Sequence, residues 1–393
     1  MKRLFAIGVY LGTACTAVSD ERAGTTVQDS GARRSNPTPH AAQIAAIERD
    51  IEQRRQELRV PGAAVVVVSA SDVLLQRGFG LRDVLGAKPV TPATIFALGS
   101  CTKPFTSLAI GIATDRQLLS YEHSPRAFIP WFVLRDSVAN ERATLRDLLS
   151  HRTGVRMDDA QGWYERYPTT QDLIRFAMRH EPAKPFREAF QYNNFMYVVA
   201  GEALAIARGV PFADVMENDI FAPLGMRSTS IRVRDLAQAE EVSLGYTGRS
   251  GATSRQPVDP REFRYLDGIA AAGGIFTTAS DMSRWMRMMV GGGELEGRRL
   301  VSDSSFAAML VPAVATGGRH YALGWFVEEW HGHTLYSHPG GVTGFGARCE
   351  FAPSLNLGWV VLTNVDDGAL ATSVREMIHR HIVSPVTDTQ PSR

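Results

Sequence analysis

Residues 95–105 read IFALGSCTKPF, and this stretch decides how the rest of the chain is interpreted. Ser100 and Lys103 lie three residues apart at the predicted start of a helix, which places their Cβ atoms about 5–6 Å apart on one face. A serine hydroxyl is a weak nucleophile until a neighbour takes its proton, and a lysine can do so when burial or nearby cations lower its pKa. The spacing alone also suits an ordinary helix cap, so the assignment depends on other residues.

A second group of polar residues follows at 192–194, which read YNN. The Tyr192 phenol is a candidate general base or proton relay, provided that cations hold it near ionisation. The Asn194 amide, two residues further on, could orient both the lysine and a substrate carbonyl. A simple Tyr-Asn turn is the alternative interpretation.

A third group stands at the end of a strand-like run, where residues 338–341 read HPGG. Gly340 and Gly341 would let a substrate approach the backbone closely, because glycine has no side chain in the way. His338 could supply either a positive charge or a hydrogen bond near the reacting atoms. A glycine-rich hairpin turn is the alternative here.

The three groups occur in order, and together they resemble the serine β-lactamase-like family. That family includes class C β-lactamases, DD-peptidases, D-aminopeptidases and related esterases, and its elements are Ser-x-x-Lys, Tyr-x-Asn and Lys-Thr-Gly or His-x-Gly. The resemblance extends over about residues 41–365. Further stretches that support it are LRDLLSHRTG at 145–154, IFAPLGM at 220–226, AGGIFTT at 272–278 and LGW at 323–325.

The resemblance implies a mechanism that uses neither cofactor nor metal. Ser100 would attack a carbonyl and become acylated, while Lys103 and Tyr192 share the proton transfers. Asn194 would orient Lys103 and the substrate. The backbone N–H groups of Ser100 and Gly341 would form an oxyanion hole. Water would then hydrolyse the acyl-enzyme.

Two departures from the family pattern concern the third element. His338 stands where β-lactamases usually have Lys, and Pro339 stands where β-lactamases and DD-peptidases usually have Thr. Losing both groups removes the obvious clamp for a substrate carboxylate. We therefore expect a serine hydrolase that acts on a small ester, amide or lactam and is esterase-like or β-lactamase-related. A DD-peptidase, a D-aminopeptidase and a catalytically silent binding or structural member of the family remain as alternatives.

The order of predicted elements indicates an α/β fold. Apolar residues at helical spacing, Ile44, Ile47, Ile51 and Leu58, predict a helix at about 41–58, and the β-branched run at 63–68 with a second run at 73–78 predicts a hairpin. A long helical region follows, and strands and a helix return at the end. We expect an antiparallel sheet flanked by the N- and C-terminal helices, with a large, mainly helical insertion. The predicted divisions are a linker at 20–40, a catalytic domain at 41–383 whose α/β part is 41–91 plus 313–383 and whose helical part is 92–312, and a tail at 384–393.

The N-terminal 19 residues are typical of an export signal. The apolar core Leu4–Ala17 is too short to span a bilayer. Cleavage before Asp20 and lipidation at Cys15 are both compatible with the sequence. We expect an exported protein, periplasmic or secreted, whose only membrane contact would be a lipid anchor at Cys15. The 42 Lys and Arg and 41 Asp and Glu give a net charge of +1, which offers no basis for nucleic-acid binding.

Two other hydrolase classes fit the sequence poorly. His331, His333 and His338 lie near one another, but no His-Glu-x-x-His motif accompanies them, so a metal site is not expected. Thr102, two residues after Ser100, takes the place of the second glycine of the α/β-hydrolase elbow Gly-x-Ser-x-Gly.

The three cysteines exclude a disulfide scaffold, since one of them, Cys15, lies in the export segment. A bridge between Cys101 and Cys349 is possible, although two buried thiols are favoured.

Overall fold

The computed structural model describes residues 41–157, 169–248, 251–252 and 254–384. The strands of this part of the chain are, in order, β1 (Gly62–Val68), β2 (Val73–Asp83), β3 (Lys88–Pro89), β4 (Phe96–Ala97), β5 (Gly245–Tyr246), β6 (Pro257–Val258), β7 (Phe276–Thr277), β8 (Glu294–Leu295), β9 (Arg298–Arg299), β10 (Val314–Thr316), β11 (Arg319–Tyr321), β12 (Phe326–Trp330), β13 (His333–Val342), β14 (Phe345–Ala352) and β15 (Leu357–Thr363).

The helices lie before, between and after these strands. In chain order they are α1 (Ala41–Glu57), α2 (Lys103–Asp115), α3 (Ser137–Arg142), α4 (Leu145–Leu149), α5 (Thr170–Ala177), α6 (Asn194–Arg208), α7 (Phe212–Met216), α8 (Ala222–Leu224), α9 (Ala270–Gly273), α10 (Ala279–Val290), α11 (Asp303–Leu310) and α12 (Ala369–Ile378).

An antiparallel sheet of nine strands combines the two ends of the described chain. Its order is β10-β11-β12-β13-β14-β15-β1-β2-β3, so the first strand lies beside the last one. The pairing of Val65 with Val361 sets the register of this contact. All seven residues of β1 are buried, as expected for a β-branched run in the centre of a sheet.

The two faces of β1 pack against different layers. Val65 and Val67 share a core with Ile47 and Ile51 of α1 and with residues of α12. Val66 and Val68 point the other way, into the core that contains α2, α6 and α10. Burying an aliphatic side chain of this size contributes roughly 1.5–3 kcal/mol. The alternation therefore fixes which face of the sheet meets the helical region.

The helical region is centred on α2. Eleven of its residues are buried. Phe105, in its first turn, stacks on Trp285 of α10 with ring centroids 3.5 Å apart. A short 3-10 turn, Gly99–Thr102, leads directly into α2. Ser100 therefore lies directly before the most deeply buried helix of the helical region.

The predicted α/β class with an antiparallel sheet between terminal helices is confirmed. The predicted helix at 41–58 is α1, and the predicted hairpin is β1 and β2, with an irregular register between Val67 and Val68. One alternative is wrong, because 338–341 is not a hairpin turn. β13 continues to Val342, and the reversal falls at 343–344.

Some sequence predictions fall outside the described residues. They are the export signal at 1–19, the linker at 20–40 and most of the tail. In the described part, no single helix is long and apolar enough to cross a membrane. Taken together, α6 and the segment Phe212–Leu224 pass the test of length and composition, but the pair is bent by 77° at the break between them.

Candidate active site

Ser100 lies where the Gly99–Thr102 turn comes very close to β13. Gly99 has a φ of +54°, which favours glycine. A Cβ built on Gly99 would lie 2.6 Å from the backbone nitrogen of Gly341, and one built on Gly340 would lie 2.1 Å from the carbonyl oxygen of Leu98. Both glycines are therefore needed for this approach of the two backbones.

The Ser100 hydroxyl meets both groups that the sequence assigned to proton transfer. Its Oγ lies 3.2 Å from Lys103 Nζ and 2.8 Å from the Tyr192 hydroxyl. Lys103 Nζ also lies 2.7 Å from Asn194 Oδ1 and 2.9 Å from the carbonyl oxygen of Ala272. The three sequence elements 100–103, 192–194 and 338–341 thus meet at one place, although they come from different parts of the chain.

Burial controls the charge of Lys103. The side chain is fully buried, and this burial lowers its pKa well below the ordinary value of 10.5. A neutral amine has two N–H donors and one lone pair. Its two shortest contacts are to acceptors, on Asn194 and Ala272. In this neutral form the lone pair would accept the proton of the Ser100 hydroxyl, whereas a protonated ammonium would donate to Ser100 Oγ.

The local sequence places Tyr192 and Asn194 at the start of α6. Asn193 caps this helix, since its side-chain oxygen accepts a hydrogen bond from the backbone of Met196. Asn194 is the first residue of α6. Its Oδ1 lies 2.7 Å from Nζ of Lys103, the first residue of α2. Tyr192 precedes the helix, and its ring centroid lies 4.7 Å from Lys103 Nζ.

The third element lies on an open strand edge. β12 pairs with β13 only as far as Ser337, opposite Phe326. Beyond Ser337, β13 has no strand partner on that side among the described residues. Pro339 and Gly341 are exposed there. An acyl group bound next to Ser100 would therefore lie along this edge.

His338 is directed away from solvent. Its ring is buried, with Nε2 3.0 Å from the Tyr321 hydroxyl and Nδ1 2.6 Å from the carbonyl oxygen of Pro339. The carbonyl can only accept, so Nδ1 carries the proton and Nε2 accepts from Tyr321. Burial lowers the His338 pKa to about 3. Of the two roles left open by the sequence, the geometry supports the hydrogen bond and not the positive charge.

Sequence reasoning missed three groups that contact the site. They are the carbonyl of Ala272, the Tyr321 hydroxyl, and His151, whose ring packs against Tyr192 at a centroid distance of 4.3 Å. Ala272 and His151 belong to the stretches 272–278 and 145–154, which the sequence identified only as family resemblance.

Cys101 and Cys349 are buried free thiols, as favoured from the sequence. Cys101 Sγ donates to the carbonyl oxygen of His338 at 3.0 Å. This contact joins the nucleophile's turn to the third element, 237 positions away in the chain.

The three histidines weighed as metal ligands have separate surroundings. His331 stacks on His379 with ring centroids 3.5 Å apart, and His333 contacts Ser354. His338 is bound to Tyr321. Within the described ranges, no group of three or more His, Cys, Asp or Glu side chains is placed to hold a metal ion.

Comparisons with known proteins agree with this geometry. A sequence model of the beta-lactamase family matches residues 47–381. The unguisins hydrolase ungD' of Aspergillus campestris is 26% identical over 365 residues, which cover 87% of this chain. The match covers 65% of that hydrolase, so the chain spans less than two thirds of this relative's length.

Two solved structures share the fold. The octameric penicillin-binding protein homologue from Pyrococcus abyssi is 26% identical, with a TM-score of 0.72, over 82% of this chain and 73% of that one. EstCE1, a hydrolase with promiscuous acyltransferase activity, is 20% identical, with a TM-score of 0.74, over 86% of this chain and 99% of that one. Because the family match covers most of the chain and includes the residues that meet at Ser100, this protein belongs to the beta-lactamase family.

Proposed function

We propose that the protein is a serine hydrolase that opens a small ester, amide or lactam through an acyl-enzyme on Ser100. The observation that carries this proposal is the pair of contacts made by Ser100 Oγ. A buried lysine lies 3.2 Å from it on one side, and a tyrosine hydroxyl lies 2.8 Å from it on the other. A nucleophile in direct contact with two proton-transfer groups is the arrangement that acyl transfer requires.

Every proton that moves during acylation and deacylation has a donor and an acceptor at this site. Ser100 Oγ attacks the carbonyl carbon, and the hydroxyl proton passes to the neutral amine of Lys103. As the tetrahedral intermediate collapses, the leaving group takes a proton from the Lys103–Tyr192 pair, and the acyl group stays on Ser100. A water molecule then attacks the ester. The water gives one proton to the same pair. The pair returns a proton to Ser100 Oγ as the acid is released.

The negative charge of the intermediate would be held by backbone donors. The N–H groups of Ser100 and Gly341 are the candidates, since the turn that carries Ser100 lies directly against Gly341. Removing one such donor typically costs about 3–4 kcal/mol of transition-state stabilisation. These donors bind only the oxygen of the reacting carbonyl. A charged clamp would, in addition, require a carboxylate elsewhere in the substrate.

The third element favours substrates without a carboxylate beside the reacting bond. His338 is buried and its pKa is about 3, so it is neutral near pH 7. Pro339 is exposed but offers neither a hydroxyl nor a backbone N–H. A carboxylate bound there would lose water without gaining a partner from either residue. We therefore favour an ester over a cephalosporin or penicillin.

A peptide is the second candidate substrate, and the open edge of β13 favours it. An extended peptide can pair with an unoccupied strand edge through its main chain. The Pyrococcus abyssi relative, described as a penicillin-binding protein homologue, is compatible with such a substrate.

A substrate panel tests the proposal. It compares kcat/KM for short-chain nitrophenyl esters, a chromogenic cephalosporin, D-amino acid amides and a peptide ending in D-Ala-D-Ala. We expect the esters to be turned over best by the wild type. We expect Ser100→Ala to lose at least about a thousandfold, the usual consequence of deleting a nucleophile.

The other outcomes are equally informative. Preference for the amides or the peptide would favour the second candidate. Efficient cephalosporin hydrolysis with feeble ester turnover would contradict the interpretation of residues 338 and 339. No turnover of any class, with a folded protein, would favour a silent binding member of the family.

A further inference from the structure

One residue outside the three sequence elements holds the chain on both sides of Tyr192. His151 follows α4 and is fully buried. Its carbonyl oxygen accepts from the backbone N–H of Gln191 at 2.8 Å. Its ring Nδ1 accepts from the backbone N–H of Asn193 at 3.1 Å. The residues immediately before and after Tyr192 are therefore both tied to His151.

The ring of His151 also contacts the phenol itself. The centroids of the His151 and Tyr192 rings lie 4.3 Å apart, with an angle of 39° between their planes. Tyr197 and Tyr321 enclose the imidazole on other sides, at 5.2 and 4.9 Å. The Tyr192 ring is therefore packed against a side chain that is itself enclosed.

The hydrogen bonds decide the protonation of His151. Because Nδ1 accepts from a backbone N–H, the proton of the neutral ring must be on Nε2. Nε2 is buried and has no hydrogen-bond partner in the part of the chain that the structure describes. Burial holds the His151 pKa well below its ordinary value, which keeps Nδ1 free to accept.

The cost of this arrangement indicates that the contacts matter. His151 adopts a φ of +58°, a conformation that is uncommon for residues other than glycine, although histidine, asparagine and aspartate adopt it more often than the rest. Among the described residues, its buried Nε2–H also has no hydrogen-bond acceptor. An apolar residue with an ordinary φ would fill the same space at a lower cost in free energy. The Nδ1 acceptor is the feature that such a residue could not provide.

We propose that His151 is a positioning residue that fixes the Tyr192 hydroxyl against Ser100 by binding the backbone on both sides of Tyr192. The inference rests on the proposed function, in which Tyr192 takes part in proton transfer. The Tyr192 hydroxyl lies 2.8 Å from Ser100 Oγ, and a displacement of about 1 Å in such a contact can lower a rate about a hundredfold. In this proposal His151 acts through Tyr192 and not on the reacting atoms.

A matched pair of substitutions isolates the acceptor. Asparagine can place its Oδ1 close to the position of Nδ1 and tolerates a positive φ. Leucine has nearly the same shape as asparagine but no acceptor. His151→Asn and His151→Leu both remove the outer half of the ring, so that loss is common to the two variants. The difference in kcat between them reports the hydrogen bond to Asn193. Asparagine and leucine also differ in their preference for a positive φ, and thermal unfolding measures that difference separately.

The readouts are kcat, KM and the acylation rate on a nitrophenyl ester, measured at least 15 °C below each variant's melting temperature. We expect His151→Leu to lower kcat and the acylation rate by about tenfold to a hundredfold, with KM within about threefold of the wild type. We expect His151→Asn to stay within about threefold of the wild type in kcat. Equal kcat for the two variants, or a loss confined to KM, would overturn the proposal.

A second measurement covers the case in which His151→Leu does not fold. Nitrogen-15 spectra of histidine-labelled wild type, assigned by the signal missing from His151→Asn, report which ring nitrogen is protonated. We expect Nδ1 of His151 to be unprotonated and Nε2 protonated, and the opposite tautomer would refute the acceptor role. Failure of the proposed function is distinguishable, because the wild type would then show no Ser100-dependent ester turnover at all.

Discussion

At the scale of single residues, the chemistry depends on one buried amine. Lys103 Nζ is surrounded by Ser100 Oγ, Asn194 Oδ1 and the Ala272 carbonyl. None of these groups carries a negative charge, so nothing among them compensates a protonated ammonium for its lost hydration. The neutral form that can accept the Ser100 proton is therefore the form that the site favours.

Burial of this amine has a consequence for stability. The pKa of Lys103 is lowered in the folded protein, so between that pKa and the ordinary value of 10.5 the unfolded chain binds one more proton than the folded one. The free energy of unfolding must then rise with pH in this window, by up to about 1.4 kcal/mol per pH unit. We expect Lys103→Met to lose this slope along with the activity.

The measurement is chemical denaturation of wild type and Lys103→Met between neutral pH and pH 10. The wild type should gain stability relative to the variant as the pH rises. Lys184→Met, which removes an exposed lysine, controls for the loss of one positive charge. A difference between wild type and Lys103→Met that is independent of pH would show that Lys103 is protonated in the folded protein.

The sequence predicted these residues because their relations are local. Ser100 lies in the short turn that leads into α2, three positions before Lys103, and Tyr192 and Asn194 flank one helix start. The role of His338 was not predictable in this way, because its partner Tyr321 lies on another strand. His151 was missed for the same reason, since its contacts with 191–193 exist only after folding.

At the scale of elements, β13 and the turn before α2 are the pair that form the site. At Gly99 and Gly340 they approach so closely that neither position has room for a side chain. Gly340 shows this directly, since an added Cβ would lie 2.1 Å from the Leu98 carbonyl oxygen. Gly341, the next residue of the same strand, has no atom within 4 Å of the position of an added Cβ.

These two glycines provide a matched pair for a stability test. We expect Gly340→Ala to destabilise the protein by more than about 2 kcal/mol, since backbone must move to admit the methyl group. We expect Gly341→Ala to change the free energy of unfolding by less than about 0.5 kcal/mol. Thermal or denaturant unfolding measures both. Equal effects would mean that β13 does not approach the Ser100 turn as described.

Element prediction succeeded where the periodicity was clear and failed at this strand. The continuous apolar run of β1 and the helical spacing in α1 are both reproduced in the structure. Residues 338–341 looked equally like a turn, because proline and two glycines are typical of turns. They stay extended because β14 pairs with β13 along this whole stretch, a tertiary constraint that the local sequence does not contain.

At the scale of the whole molecule, the fold brings distant segments to one place. The sheet joins the two ends of the described chain, and α2 and α6 carry Lys103 and Asn194 to the same site. Cys101 and His338, which are in direct contact, are 237 positions apart. A site assembled in this way should be lost as a unit when the chain unfolds.

Export is a second property of the whole molecule, and it remains a proposal from the sequence. The apolar segment Leu4–Ala17 motivates it. Protein recovered from an export-competent bacterial host should begin at Asp20 or at a lipidated Cys15, as measured by intact mass and N-terminal sequencing. Recovery of the uncleaved Met1 form from the cytosol would contradict export.

We expect Ser100 to be the residue that becomes acylated. The most direct measurement is to quench the reaction with a nitrophenyl ester in acid, determine the intact mass and map the modified peptide. We expect one acyl group on Ser100 in the wild type and in Ser71→Ala, an exposed serine control, and none in Ser100→Ala. An adduct on another residue, or ester turnover that persists in Ser100→Ala, would contradict this expectation.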